Sequence, residues 1–214
     1  MLNWWKNRQS EQQSADRLYE AIVTQARTPQ FYSHLNVPDT IDGRYELIVL
    51  HLFLVMERLR ADDERTAGVA RRTLERFVED MDDCMREIGV SDLKVPKKVK
   101  EAASGFYDRA IMLRDALPDH AGAGETTAIV TDAAATPGRS DNAAMTDYFE
   151  RIFADQHIET ESTQDPATDE NPAAQIDKRA LARYAVAAAK AVSDNELDIM
   201  MDGRPGFPSP IELR

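Results

Sequence analysis

From Leu47 to Met56 every residue except His51 is apolar, and this run constrains the fold more than any other feature of the chain. It is too short for a membrane span, which needs roughly 20 apolar residues, and Glu57, Arg58 and Arg60 follow it at once. The length from Tyr45 to Arg60, the Leu and Met content and a capping residue at Asp42 favour a helix over a strand. A helix apolar on nearly all sides belongs at the centre of a packed domain. The polar lead-in Asp39, Asp42, Gly43 and Arg44 turns the chain into it, with Arg44 left over to pair with a bundle carboxylate or to face a partner.

The flanking segments read as further helices. Ala15, Leu18, Ile22 and Ala26 recur at helical spacing within a first helix from Glu11 to Arg27, which Pro29 stops. Thr66 is placed to cap another, whose face is Ala70, Leu74, Phe77, Val78, Met81, Met85 and Ile88, with Gly89 at the left-handed C-cap position. Pro96 fits the first turn of the next, with Val99, Ala103, Phe106, Ala110, Leu113 and Leu117 on one side. Met145, Tyr148, Phe149, Ile152 and Phe153 mark a short aromatic helix over Ala143 to Ala154. Asn171-Pro172 opens the last long one, with Ile176, Ala180, Tyr184, Ala187 and Ala191 on its face. Six helices without an alternating strand pattern predict an all-α bundle.

The net charge of -12 is unevenly spread. Residues 1–118 hold 20 acids and 18 bases, residues 119–175 hold 12 and 2, and residues 176–214 hold 6 and 6. The acidic middle is rich in Ala, Thr, Asp, Gly and Pro and cannot repay its ordering entropy. The expected organisation is therefore an N-terminal helical core over 1–118, a flexible acidic linker over 119–142, and C-terminal helices and tail over 143–214 that pack on the core. A second acidic linker interrupts the last part at 156–171. The lone Cys84 excludes an intramolecular disulfide and a cysteine zinc site. The N-terminal stretch reads as neither export signal nor span, so secretion is not expected.

Several motifs run in order along the chain: Ala26, Arg27, Pro29, Phe31 and Tyr32; the VPDT-DGR-E lead-in to LH--LV--RL; MD--MRE-GV-DL-V-KK-K from Met81 to Lys100; and Phe106, Tyr107 and Arg109. RALARYAVAAAKAV followed by DGRPGFPSP completes the set. Together they resemble the ubiquinol-cytochrome c chaperone family, bacterial type, with both acidic linkers as insertions. The resemblance implies a non-catalytic assembly factor for respiratory complex III that binds newly made cytochrome b or its nascent chain. It also implies a ribosome and a small co-chaperone as further partners, and a cytoplasmic place, peripheral at the inner membrane. It brings no catalytic residues and no cofactor. The competing reading is a helical lipid- or quinone-binding protein, or a small enzyme, on the same scaffold.

Within that frame the residues offer three candidate surfaces. Tyr45, His51, Met81, Met85, Phe106, Tyr107 and Arg109 are the candidate partner-binding set, because thioethers beside aromatic rings make an adaptable groove for apolar helices. For His51 the alternative is a neutral ring hydrogen-bonded inside the bundle, and for Met81 and Met85 it is simple core. Lys94, Lys97, Lys98 and Lys100 form the dense positive cluster. Two of these lysines oppose the dipole of the helix they open, which points to an anionic surface, lipid or RNA. Trp4 and Trp5 beside Lys6 and Arg8 make a candidate membrane-proximal anchor or pack back on the bundle. The acid run Glu79, Asp80, Asp82 and Asp83 reads as a wet helix face, and no histidine has metal-ligand spacing. Specific DNA binding is not expected.

Overall fold

The computed structural model describes residues 2–60, 63–117, 141–154 and 176–211, with side chains from residue 8 onward except at 63, 64 and 141. Eight helices follow one another among these residues: α1 (Leu2–Ala26), α2 (Pro29–Ser33), α3 (Ile41–Arg60), α4 (Asp63–Glu87), α5 (Val95–Ala116), α6 (Asp141–Ala154), α7 (Lys178–Asp194) and α8 (Leu197–Met201). The fold is all-α, as the periodicity predicts, with two five-residue helices beyond the expected six. The expected linkers at 119–142 and 156–171 lie outside the described residues, apart from Asp141 and Asn142, which begin α6.

Several boundaries differ from those expected, each for a local reason. Helix α1 starts at Leu2 rather than Glu11, since nothing between them breaks a helix. Thr40, not Asp42, caps α3: its Oγ1 accepts the Gly43 amide at 3.1 Å. The backbone makes that choice, because a Cβ at residue 43 would lie 2.1 Å from the Pro38 carbonyl oxygen, an approach only glycine permits. Asp42 sits instead in the first turn. Thr66 lies inside α4, and its buried hydroxyl donates back to the Leu59 carbonyl of α3. Helix α7 is capped by Asp177, whose Oδ1 accepts the Ala180 amide at 2.9 Å, so Asn171-Pro172 does not open it.

On α4 the buried stripe runs through Thr66, Val69, Thr73, Phe77 and Met81. Val78, one position past that stripe, is exposed. Ile88, beyond the last helical residue, is exposed too. Gly89 then adopts φ 83°, and the Val90 amide reaches back to the Met85 carbonyl at 3.0 Å, the left-handed stop that the sequence predicts. On α7 the buried residues are Ala180, Leu181, Ala182, Tyr184, Ala185, Ala188, Ala189 and Val192, so Ala180 and Tyr184 fall on the buried face as expected, while Ala187 and Ala191 lie at its edge.

Helix α3 is the axis. It packs against α1, α4, α5 and α7, and from Glu46 to Val55 every residue is buried. Such a helix has nowhere wet to put a polar side chain. His51 is fully buried; its Nδ1 lies 2.6 Å from the Leu47 carbonyl and its Nε2 lies 2.7 Å from the Tyr184 hydroxyl. A carbonyl only accepts, so Nδ1 carries the proton and Nε2 accepts from Tyr184. Gln25 of α1 donates to the same hydroxyl at 3.0 Å and to the Pro208 carbonyl at 3.0 Å. Phe31 and Phe207 close the node edge-on to the histidine ring. One imidazole thereby ties α1, α2, α3, α7 and the C-terminal tail together.

Burial holds His51 neutral, pushing its pKa from the ordinary 6.5 down to about 4, with the Leu47 bond opposing weakly. The unfolded chain takes up a proton below pH 6.5 that the folded chain refuses until about pH 4, so stability falls with pH across that window. The span corresponds to about 3 kcal/mol. Urea unfolding of the wild type at pH 7 and pH 5 should show about 2 kcal/mol of this loss, and His51→Gln should remove most of the difference. An unchanged pH dependence in the variant would rule out the histidine as its source.

Candidate functional site

Between α3, α4 and α5 lies an open groove of about 410 Å³, lined mainly by apolar side chains that include Phe53, Met56, Leu59, Leu74, Phe106 and Ile111. Tyr107 and Ile111 stand along it 60% and 58% exposed, so large apolar surface faces water there. Arg60, Arg71 and Arg114 also line it. Arg60 and Arg114 share one buried carboxylate, Glu57: Arg60 Nη2 reaches it at 3.0 Å, and Arg114 binds through both Nε and Nη2. Two guanidinium groups on one carboxylate leave positive charge beside the apolar surface. Arg71 pairs with Glu75 along its own helix at 3.5 Å.

The wall shared by α3 and α5 is braced by a second ion pair. Glu46, buried in α3, accepts from Arg109 Nε at 2.8 and 2.7 Å and from its Nη2. Burial pushes the Glu46 carboxyl above its usual range while Arg109 pulls it back; burial works against the Arg109 charge, but its bonds to Glu46 carry it above the ordinary value. The guanidinium carbon lies 5.3 Å from the centre of the Tyr45 ring, a cation-π contact, and the Tyr45 hydroxyl donates to the Ala102 carbonyl at 2.8 Å. Burial raises the Tyr45 hydroxyl to about 12. Tyr148 of α6, buried with no hydrogen-bond partner for its hydroxyl, feels the charges of both Glu46 and Arg109.

The structure thus unites only part of the candidate partner-binding set. Tyr45, Phe106, Tyr107 and Arg109 fall in one neighbourhood, joined through Phe77, which lies 6.4 Å from the Tyr45 ring and 5.8 Å from that of Phe106. His51 is not beside them: it sits among Phe31, Tyr184 and Phe207 with both nitrogens in use, and it lines no surface. Met81 is buried and Met85 half-buried on α4, and neither lines the groove. Lys94, Lys97, Lys98 and Lys100 are exposed around the start of α5. Trp4 and Trp5 fall in the first turns of α1, and their side chains lie outside the described residues.

Arg44 pairs with Asp39 at 2.6 Å on the surface, a local contact in place of the expected bundle carboxylate. In the acid run, Glu79 and Asp82 pair with Arg76 and Arg86 of the same helix, whereas Asp80 accepts the Tyr19 hydroxyl at 2.8 Å and ties α4 to α1. Among the described residues no group of three or more His, Cys, Asp or Glu side chains is arranged to hold a metal ion, and no helix is long and apolar enough to cross a membrane. Sequence reasoning missed Glu57, Arg114 and Ile111. A carboxylate at the end of an apolar helix was the available signal for Glu57; its partner lies 57 positions on, at a spacing no local pattern reports.

Removing Arg109 leaves Glu46 as a buried charge with no partner, so Arg109→Ala should cost about 3 kcal/mol in urea unfolding. Glu46→Leu combined with Arg109→Met should cost less than that single change, because no charge is then stranded. A double variant less stable than Arg109→Ala would show that the pair contributes more than mutual neutralisation.

The comparisons with known proteins follow the same lines. The crystal structure of the Cbp3 homolog from Brucella abortus matches with a TM-score of 0.70 at 24% sequence identity, covering 100% of both chains, and this establishes the shared fold. Among curated proteins nothing matches the chain. The family model for the ubiquinol-cytochrome C chaperone matches residues 33–207, a span that holds the central helix, both buried ion pairs, the groove and, from the buried node, His51, Tyr184 and Phe207. The chain therefore belongs to the ubiquinol-cytochrome c chaperone family.

Proposed function

We propose that this protein is a non-catalytic assembly chaperone for ubiquinol-cytochrome c oxidoreductase, and that it holds newly made cytochrome b through an apolar segment laid in the α3–α4–α5 groove. Family membership supports the assembly role. The groove itself carries the docking reading: an open apolar channel, flanked by exposed Tyr107 and Ile111 and edged by Arg60 and Arg114, suits a helix with an apolar face and an acidic flank. A client awaiting its partner subunits exposes such faces. A ribosome and a small co-chaperone are natural neighbours in this reading, as is peripheral attachment to the membrane where the client is inserted.

The rival reading, a lipid or quinone pocket around His51 and Tyr107, loses its geometric basis. His51 is enclosed and fully hydrogen-bonded, and Tyr107 opens to solvent from another part of the bundle.

The test is capture of cytochrome b from membranes that are making it, using tagged wild type and Tyr107→Glu/Ile111→Glu. Both side chains are exposed, so folding should survive, as circular dichroism would verify. Losing two apolar contacts of about 1.5 kcal/mol each should lower recovery roughly a hundredfold. Equal recovery with both proteins would remove the groove from the proposal, and no recovery with wild type would remove the client.

A further inference from the structure

The turn between α4 and α5 carries a feature that client binding does not use. Leu93 is 93% exposed, and Ile88 on the same connection is 53% exposed. A single exposed leucine is ordinary on a protein surface. This one is held out by construction. The Lys94 and Val95 amides both donate to the Ser91 carbonyl, at 2.7 and 3.1 Å, which closes the turn. Asp92 is clamped by Arg86 at 2.6 Å on one side of Leu93, and Val95 is fully buried on the other. In the turn so closed, Leu93 stands in water beside the start of α5.

Lysines surround this apolar tip. Lys97 and Lys98 share one carboxylate, Glu101, at 3.7 and 3.1 Å, while Lys94 and Lys100 are exposed with no ion pair among the described residues. From Asp92 to Glu101 four ammonium groups stand against two carboxylates, one of them taken by Arg86, which leaves positive charge in excess next to an exposed leucine. From this juxtaposition we infer that the α4–α5 turn is a bilayer-contacting wedge, in which Leu93 and Ile88 enter the interface and the lysines meet anionic lipid headgroups. RNA fits the same charge less well, since leucine and isoleucine offer no ring for base stacking and lysine lacks the planar fork of arginine. The wedge stands independently of the client reading, because protein-free vesicles test it alone.

The experiment is vesicle flotation of the full chain with phosphatidylcholine, with and without phosphatidylglycerol. A polarity-sensitive dye is placed at residue 93 in Leu93→Cys/Cys84→Ser. The expected result is flotation with anionic vesicles only, weakened by salt, with a blue shift of the dye. Leu93→Ser should lower partitioning about tenfold, the effect of losing one buried leucine, and Lys97→Glu/Lys98→Glu should abolish flotation. Absence of flotation, or flotation equal in both variants and wild type, overturns the inference. So does binding that Leu93→Ser leaves intact and that single-stranded RNA displaces, which would assign the lysines to nucleic acid.

Discussion

The buried stretch of α3 must satisfy every polar group it carries from inside the protein, and three of the helix's polar side chains are buried: Glu46, His51 and Glu57. Their partners come mainly from α5 and α7. Arg109 of α5 takes Glu46, Tyr184 of α7 takes His51, and Glu57 is held by Arg114 of α5 and by Arg60 of its own last turn. An unpaired buried carboxylate or imidazole costs more than most single contacts return. The polar groups therefore fix how the neighbours are rotated and set along the axis, which apolar packing alone leaves loosely specified. The two carboxylates of α3 lie 11 positions apart, about three turns, and hold α5 at two points; the groove opens beside the second.

That arrangement links the core to the groove between α3, α4 and α5. Phe106 is buried while its neighbours Tyr107 and Ile111 on α5 point outward, because Arg109 and Arg114 have already committed the helix to one orientation. The walls of the groove are thus rigid, and its lining keeps apolar surface in water. A folded protein retains such exposure only at some expense in stability and solubility, and a partner that covers it recovers both.

Much of this was legible in the sequence, for reasons that differ by element. The run from Leu47 to Met56 could only be a core helix, and Gly89 and Pro96 act locally, so their positions sufficed. Helices α2 and α8 span five residues each, too short for a periodic pattern. The choice of Thr40 over Asp42 as cap depends on how closely Pro38 approaches Gly43, a property of backbone geometry rather than residue type. His51 was visible as a lone polar residue, but its partner sits 133 positions away, and so its place among Phe31 and Phe207 was not. The groove was half visible: Phe106 and Tyr107 were marked by aromatic content, whereas Ile111 fell off the predicted apolar face and was passed over for that reason.

The central claim is that an apolar client segment lies between α4 and α5 against α3. It is tested most directly by placing a photoreactive amino acid at Ile111 and, separately, at Asp194, an exposed position at the end of α7. Each variant is then irradiated in cells that are making complex III. The account predicts adducts containing cytochrome b from position 111 and none from position 194. Adducts of equal yield from both positions, or from position 194 alone, would contradict it.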